Sequence, residues 1–148
     1  MNIRVFLDAN ILIAATKSPT GGSRLVMELG KIGKIELVTV AHALLEAERN
    51  VELKLGLSFL PSYYSLLLES GATVQPISSA TLKEISTLNQ FVPRKDVPIL
   101  LGALYSKCTI LLTLDRRDLL DNASLKDMQF PFEILTPGEF LQKFIQTK

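Results

Sequence analysis

Short apolar runs rich in β-branched residues recur along this chain, separated by stretches of helical period. Ile3-Arg4-Val5-Phe6-Leu7 predicts a buried strand ending at Asp8, and Glu36 to Val40 predicts a second. Thr73-Val74-Gln75 is a shorter one, stopped by Pro76. Thr109 to Leu114 is the most strand-like run, and Phe132-Glu133-Ile134-Leu135 is the last. Helical patterns fill the intervals. Ile11 to Ala15 is broken by Lys17-Ser18-Pro19-Thr20-Gly21-Gly22. Ser23 is placed to cap a helix running to about Gly30, with Leu25, Val26 and Leu29 as its apolar face. Ala41 to about Leu55, Pro61 to Ser70 (closed by Gly71) and Ser79 to Leu88 follow. Asp96 opens a helix that tolerates Pro98 in its first turn and carries Ile99, Leu100, Ala103 and Leu104. Thr136-Pro137-Gly138-Glu139 begins the closing helix, with Thr as cap, Pro at the first position and Glu139 completing a capping box.

Strands that alternate with helices, and that are apolar almost throughout, are strands covered on both faces. The expected class is α/β, a mostly parallel sheet between helical layers. With 148 residues, 47% of them hydrophobic, the chain is long enough to bury a core. No repeat or low-complexity linker divides it, so one domain over 1–148 is the simplest expectation. The formal net charge of +1 carries no overall electrostatic footprint for nucleic acid and leaves a local one open. A lone cysteine, Cys108, and the lack of any Cys/His cluster of zinc spacing fit a reducing, cytoplasmic setting. No apolar run approaches the ~20 residues of a membrane span. The start Met-Asn-Ile-Arg leads straight into a strand, unlike a signal peptide.

The chemistry sits in the aspartates. Of six, Asp8 and Asp115 follow the two clearest strands and Asp96 opens a helix. In an open parallel sheet, ligands lie outside the carboxyl ends of the strands. Two carboxylates about 4 Å apart repel by roughly 4 kcal/mol at an effective dielectric near 20. A divalent cation reverses that sign, and oxygen donors without His or Cys suit Mg²⁺ or Mn²⁺. Such a cluster fits metal-dependent hydrolysis of a phosphodiester. The competing explanation for each aspartate is structural: Asp at a strand end or N-cap satisfies free backbone N–H groups. The chain lacks a GxxxxGK[ST] loop, GxGxxG, HExxH and GxSxG, which removes the chemistries tied to them.

Four blocks, in order, resemble PIN-domain proteins, a nuclease family that includes many toxins of toxin–antitoxin pairs. They are Val5-Phe6-Leu7-Asp8-Ala9-Asn10-Ile11-Leu12, Leu44 to Val51, Lys95-Asp96-Val97-Pro98 to Leu104, and Leu111-Leu112-Thr113-Leu114-Asp115 to Leu119. The ending from Ile134 to Leu141 is similar too. The resemblance implies a three-layer α/β/α sandwich, a divalent metal held by Asp8, Glu46, Asp96 and Asp115, and an endoribonuclease activity. Asp118 is either a further ligand or the cap of a short helix. Asn10 and Thr113 stand at family-typical polar positions that support the ligands. Val40 replaces a frequent serine, which loosens the support of Glu46, and Leu114 replaces the usual glycine before the fourth acid. Periodicity alone names a different glutamate. Glu48 shares the stripe of Leu44, Ala47, Val51 and Leu55, whereas Glu46 points nearly opposite. A toxin role further implies RNA as substrate, a small cognate antitoxin and often a homodimer.

Around these blocks, Arg94, Lys95, Arg116 and Arg117 are candidates for holding a phosphate backbone, against ordinary solvated charge. His42 is a candidate base or phosphate contact, against a plain surface histidine. Tyr63 and Tyr64 are candidates for base stacking, against helix packing. Cys108 reads as a small core residue. Two other functions remain open on the same residues. One is a PIN-like RNA- or protein-binding module with weak or no catalysis. The other is an acid-cluster phosphatase or receiver-like switch phosphorylated on Asp8 or Asp115, although such a phosphatase usually has a second carboxylate where this chain has Asn10.

Overall fold

The structure is a computed structural model and describes residues 2–146. Five strands form one all-parallel sheet: β1 (Arg4–Leu7), β2 (Glu36–Thr39), β3 (Thr73–Val74), β4 (Ile110–Leu112) and β5 (Glu133–Leu135), in the order β3-β2-β1-β4-β5. The register pairs Phe6 with Val38 on one side and Leu7 with Leu112 on the other. β1 is therefore central, and Val5, Phe6, Leu7, Leu111 and Leu112 are fully enclosed whichever face they point to. That explains their unbroken apolar character.

Eight α-helices connect the strands: α1 (Ala9–Lys17), α2 (Gly22–Lys31), α3 (Ala41–Asn50), α4 (Leu60–Ser70), α5 (Leu82–Leu88), α6 (Val97–Ser106), α7 (Ala123–Asp127) and α8 (Pro137–Gln146). α6 lies against β1 and β2 and is followed on that side by α5, while α1, α2, α4 and α8 pack on one another. This is the three-layer α/β/α arrangement expected. The close fit of α6 rests on Gly102. A Cβ there would meet Val40 and would stand 2.7 Å from the Phe6 ring.

Most elements fall where the pattern places them. The Thr136/Glu139 capping box forms, with the Glu139 amide donating to Thr136 Oγ1 at 3.1 Å and the Thr136 amide donating to Glu139 Oε1 at 2.9 Å. Gly71 ends α4 in the left-handed region at φ 71°. Ser23 does not cap α2. The helix starts earlier, with Gly21 at the cap position and Gly22 beside Pro137 and Leu141 of α8. Ser23 is consequently buried inside the first turn, and the apolar face uses Val26 and Met27 while Leu25 is exposed. The long helix expected over 41–55 is α3 followed by a wider π turn over Val51–Leu55. No helix of the described residues is long and apolar enough to cross a membrane.

Candidate metal centre

The carboxyl edge of the sheet is tied together by hydrogen bonds around Asp8. The Asp8 amide donates to Leu112 O across the β1–β4 gap at 3.1 Å, so the ends of these strands are held level. The Thr39 hydroxyl donates to Leu7 O at 2.8 Å from the β2 side. Asp8 is the N-cap of α1, its Oδ1 accepting from the Ala9 amide at 2.7 Å. Its Oδ2 accepts from the Thr113 hydroxyl at 2.8 Å and from Asn10 Nδ2 at 3.4 Å.

Thr113 is completely buried and its hydroxyl is saturated. It donates to Asp8 and accepts from Asn10 Nδ2 at 3.2 Å and from the Asp115 amide at 3.1 Å. Asn10 closes the loop, its Oδ1 accepting from the Leu114 amide at 3.0 Å. The two polar residues therefore bind the strand-end aspartates to each other. Leu114 supplies only its backbone there and leaves its side chain exposed.

Beyond Asp115 the chain takes a π turn over Arg116–Leu120, closed by the Leu120 and Asp121 amides on Asp115 O and Arg116 O. Asp115 caps this turn, its Oδ1 accepting from the Asp118 amide at 3.1 Å. The wide turn brings Asp118 round toward Asp115. Asp96 arrives from a 3₁₀ turn (Arg94–Asp96) ahead of α6. It stands at the N-cap position of α6 yet makes no side-chain cap bond there.

One carboxylate oxygen from each of Asp96, Asp115 and Asp118 lies within 4.8 Å of the others, the one such group of three among the described residues. Asp96 and Asp115 thus lie close together. Asp118 joins them as a carboxylate, and the cap role belongs to Asp115. Asp8 and Glu46 stand outside this trio. The charges of Asp96 and, more weakly, Glu46 act on Asp8. Asp8, only 5% exposed, has its carboxyl pushed up to about 6. Burial is the main cause, opposed by the Thr113 and Ala9 hydrogen bonds and reinforced by Asp96 and Glu46. Burial also raises Asp96, against the pull of Lys95.

Glu46 is the helix-borne carboxylate whose charge reaches Asp8, whereas Glu48 accepts from the Tyr64 hydroxyl at 2.8 Å, on the α4 side. Val40, the cap position of α3, provides no side-chain bond to that helix. His42 stands one turn before Glu46, with Nε2 3.8 Å from Oε1; the nitrogen is enclosed and has no hydrogen-bond partner.

Three of the four basic residues are already paired. Lys95 Nζ is 3.3 Å from both oxygens of Asp96, 3.7 Å from Asp115 Oδ2 and 3.9 Å from Asp118 Oδ2. Although burial works against its charge, Asp96, then Asp115 and Asp118, hold its ammonium above the usual lysine range. Arg117 pairs with Asp118 at 3.3 Å from the solvent side, and Arg116 with Asp121 at 3.2 Å. Arg94 is exposed and has no ion pair among the described residues. Tyr63 is buried and donates to Leu44 O at 2.8 Å, which makes it a packing residue. Cys108 is a core thiol, pushed up to about 11 chiefly by burial.

The donor set of the trio is all carboxylate oxygen, spaced closely enough to share one small ion, with neither His nor Cys among it. It fits a hard divalent cation of the Mg²⁺ or Mn²⁺ kind.

No family model matches the chain, and no curated protein matches it in sequence. In three dimensions the chain is similar to one in the crystal structure of VapBC2 from Rickettsia felis bound to a DNA fragment from their promoter. The TM-score is 0.66 at 13% identity, over 90% of this chain and 98% of that one.

Proposed function

We propose that this chain, whose fold is the PIN fold, is a divalent-metal-dependent endoribonuclease that hydrolyses RNA phosphodiester bonds and serves as the toxin of a toxin–antitoxin pair. The observation that carries the reading is the convergence of Asp96, Asp115 and Asp118 at the carboxyl edge of a parallel sheet, with buried Asp8 joined to Asp115 through the Thr113 hydroxyl. Three carboxylates this close are costly unless a cation lies among them.

In this reading Asp8, Glu46, Asp96 and Asp115 are the acidic set, and Asp118 contributes with them. A bound Mg²⁺ or Mn²⁺ supplies a nucleophilic water at neutral pH and charge stabilisation at the phosphoryl group. The chain's own residues hold and orient. Thr113 and Asn10 keep Asp8 and the Asp115 loop in register. Arg94, the flanking basic residue without an ion pair among the described residues, takes the phosphate-holding role. The wider context is a small cognate antitoxin, a homodimer and a cytoplasmic setting, as the family resemblance implies.

The test is cleavage of a short single-stranded RNA in Mn²⁺. Asp96→Asn and Asp115→Asn should each abolish cleavage while leaving the circular dichroism spectrum unchanged. Wild-type rates in either variant would end the assignment.

A further inference from the structure

The carboxylate trio is already occupied by a cation of the chain's own. Among the described residues, Lys95 is the one basic side chain within 4.0 Å of all three aspartates. Its ammonium straddles both oxygens of Asp96. Arg117 reaches only Asp118 of the three.

A divalent ion bound to these oxygens needs contacts of about 2.1 Å and a near-octahedral shell. An ammonium 3.3 Å from the same Asp96 oxygens contends for the same lone pairs and repels a divalent ion brought to them. The lysine is the member able to move: its side chain is 55% exposed and every polar contact of Nζ lies within the cluster, whereas the Asp96 side chain is 6% exposed. The stem is flexible, with four carbons.

We propose that Lys95 is an internal competitor for the metal seat. Its ammonium neutralises part of the cluster in the metal-free protein, and it leaves for solvent when a divalent cation binds. The inference rests on the metal-dependent reading above. Its consequence is a protein that loads metal more weakly than its carboxylates alone would, yet does not carry an unrelieved cluster of negative charge when empty.

The experiment is Mn²⁺ titration of the full chain, stripped with chelator beforehand. It is followed by calorimetry and by the paramagnetic signal of free Mn²⁺, with no substrate present. Lys95→Met keeps the bulk and removes the charge. It should bind Mn²⁺ at least about tenfold more tightly than wild type, about 1.4 kcal/mol. Lys95→Arg keeps the charge and should stay at wild-type affinity or below. Asp115→Asn should weaken binding in both backgrounds. Metal-free Lys95→Met should melt below wild type and gain more from added Mn²⁺. If Lys95→Met does not fold, Lys95→Gln carries the same comparison. Wild-type protein that binds Mn²⁺ through Asp115, with Lys95→Met or Lys95→Gln binding no more tightly, would overturn the competitor role and leave the metal reading standing. Absence of Mn²⁺ binding in wild type and neutral variant alike would overturn both.

Discussion

Replacing Asp8 by Asn removes a charge from a position that is 5% exposed while nearly preserving its shape. The folded chain holds the Asp8 proton more tightly than the unfolded chain does, with the carboxyl at about 6 instead of 3.8. Stability from this group is thus fully present below about pH 4, declines as pH rises through about 6, and levels off above. A shift of about two units corresponds to about 3 kcal/mol of destabilisation at neutral pH in the metal-free protein. Asp8→Asn escapes that penalty. It keeps the acceptor for the Ala9 amide but presents an NH₂ group to Thr113 and Asn10 where an oxygen accepted from both. That mismatch costs about 1–2 kcal/mol. In chelator at pH 7.5 the variant should therefore be more stable than wild type by about 1–2 kcal/mol, and near pH 4 less stable by a similar amount. Urea unfolding of both proteins across this pH range measures the difference, in which the other titrating groups cancel. Parallel curves for the two proteins would refute the claim that burial of an ionised Asp8 strains the empty site.

Thr113→Val deletes the one donor that pulls hardest on Asp8 and strands the Asp115 amide. The urea midpoint should fall by the equivalent of about 2–3 kcal/mol, and an NMR titration should find the Asp8 carboxyl higher than in wild type. Gly102→Ala pushes a methyl group into Val40 and the Phe6 ring and should cost about 2–3 kcal/mol, seen as a lowered Tm. Glu46→Gln should reduce Mn²⁺-dependent kcat/KM by roughly tenfold or more, about 1.4 kcal/mol of transition-state stabilisation. Glu48→Gln, altering only the exposed pairing with Tyr64, should leave kcat/KM unchanged.

The sheet was legible because a strand covered on both faces must be apolar at every position, as Val5-Phe6-Leu7 and Leu111-Leu112 are. Asp8 and Asp115 were legible for a related reason: the first acidic residues after such strands lie on one edge when the strands are parallel. The glutamate was not. Helical periodicity set Glu48 on the inward stripe of α3, but its carboxylate makes an exposed bond with Tyr64 of α4, and the charge that acts on Asp8 is that of Glu46. A hydrophobic stripe reports where the apolar neighbours are and says nothing about where the carboxyl edge lies. Asp118 depended on a π turn, whose extra residue per turn leaves no mark in composition or period. Lys95 was readable as a basic neighbour of Asp96, but its partners come from two segments distant in the chain, so its role as their counter-ion required the fold. The Ser23 cap was misplaced: α2 begins at Gly22, where the chain meets α8 from near its other end.

Both outermost strands of the sheet are short, β3 with two residues and β5 with three. A foreign strand seeking unpaired amides and carbonyls finds almost no ladder to extend at either border. Pro76 lies just after one border strand and Pro131 just before the other, each without an N–H to offer. Molecules of this protein are in consequence poorly equipped to polymerise border to border, even at the high concentrations used for crystallisation or NMR.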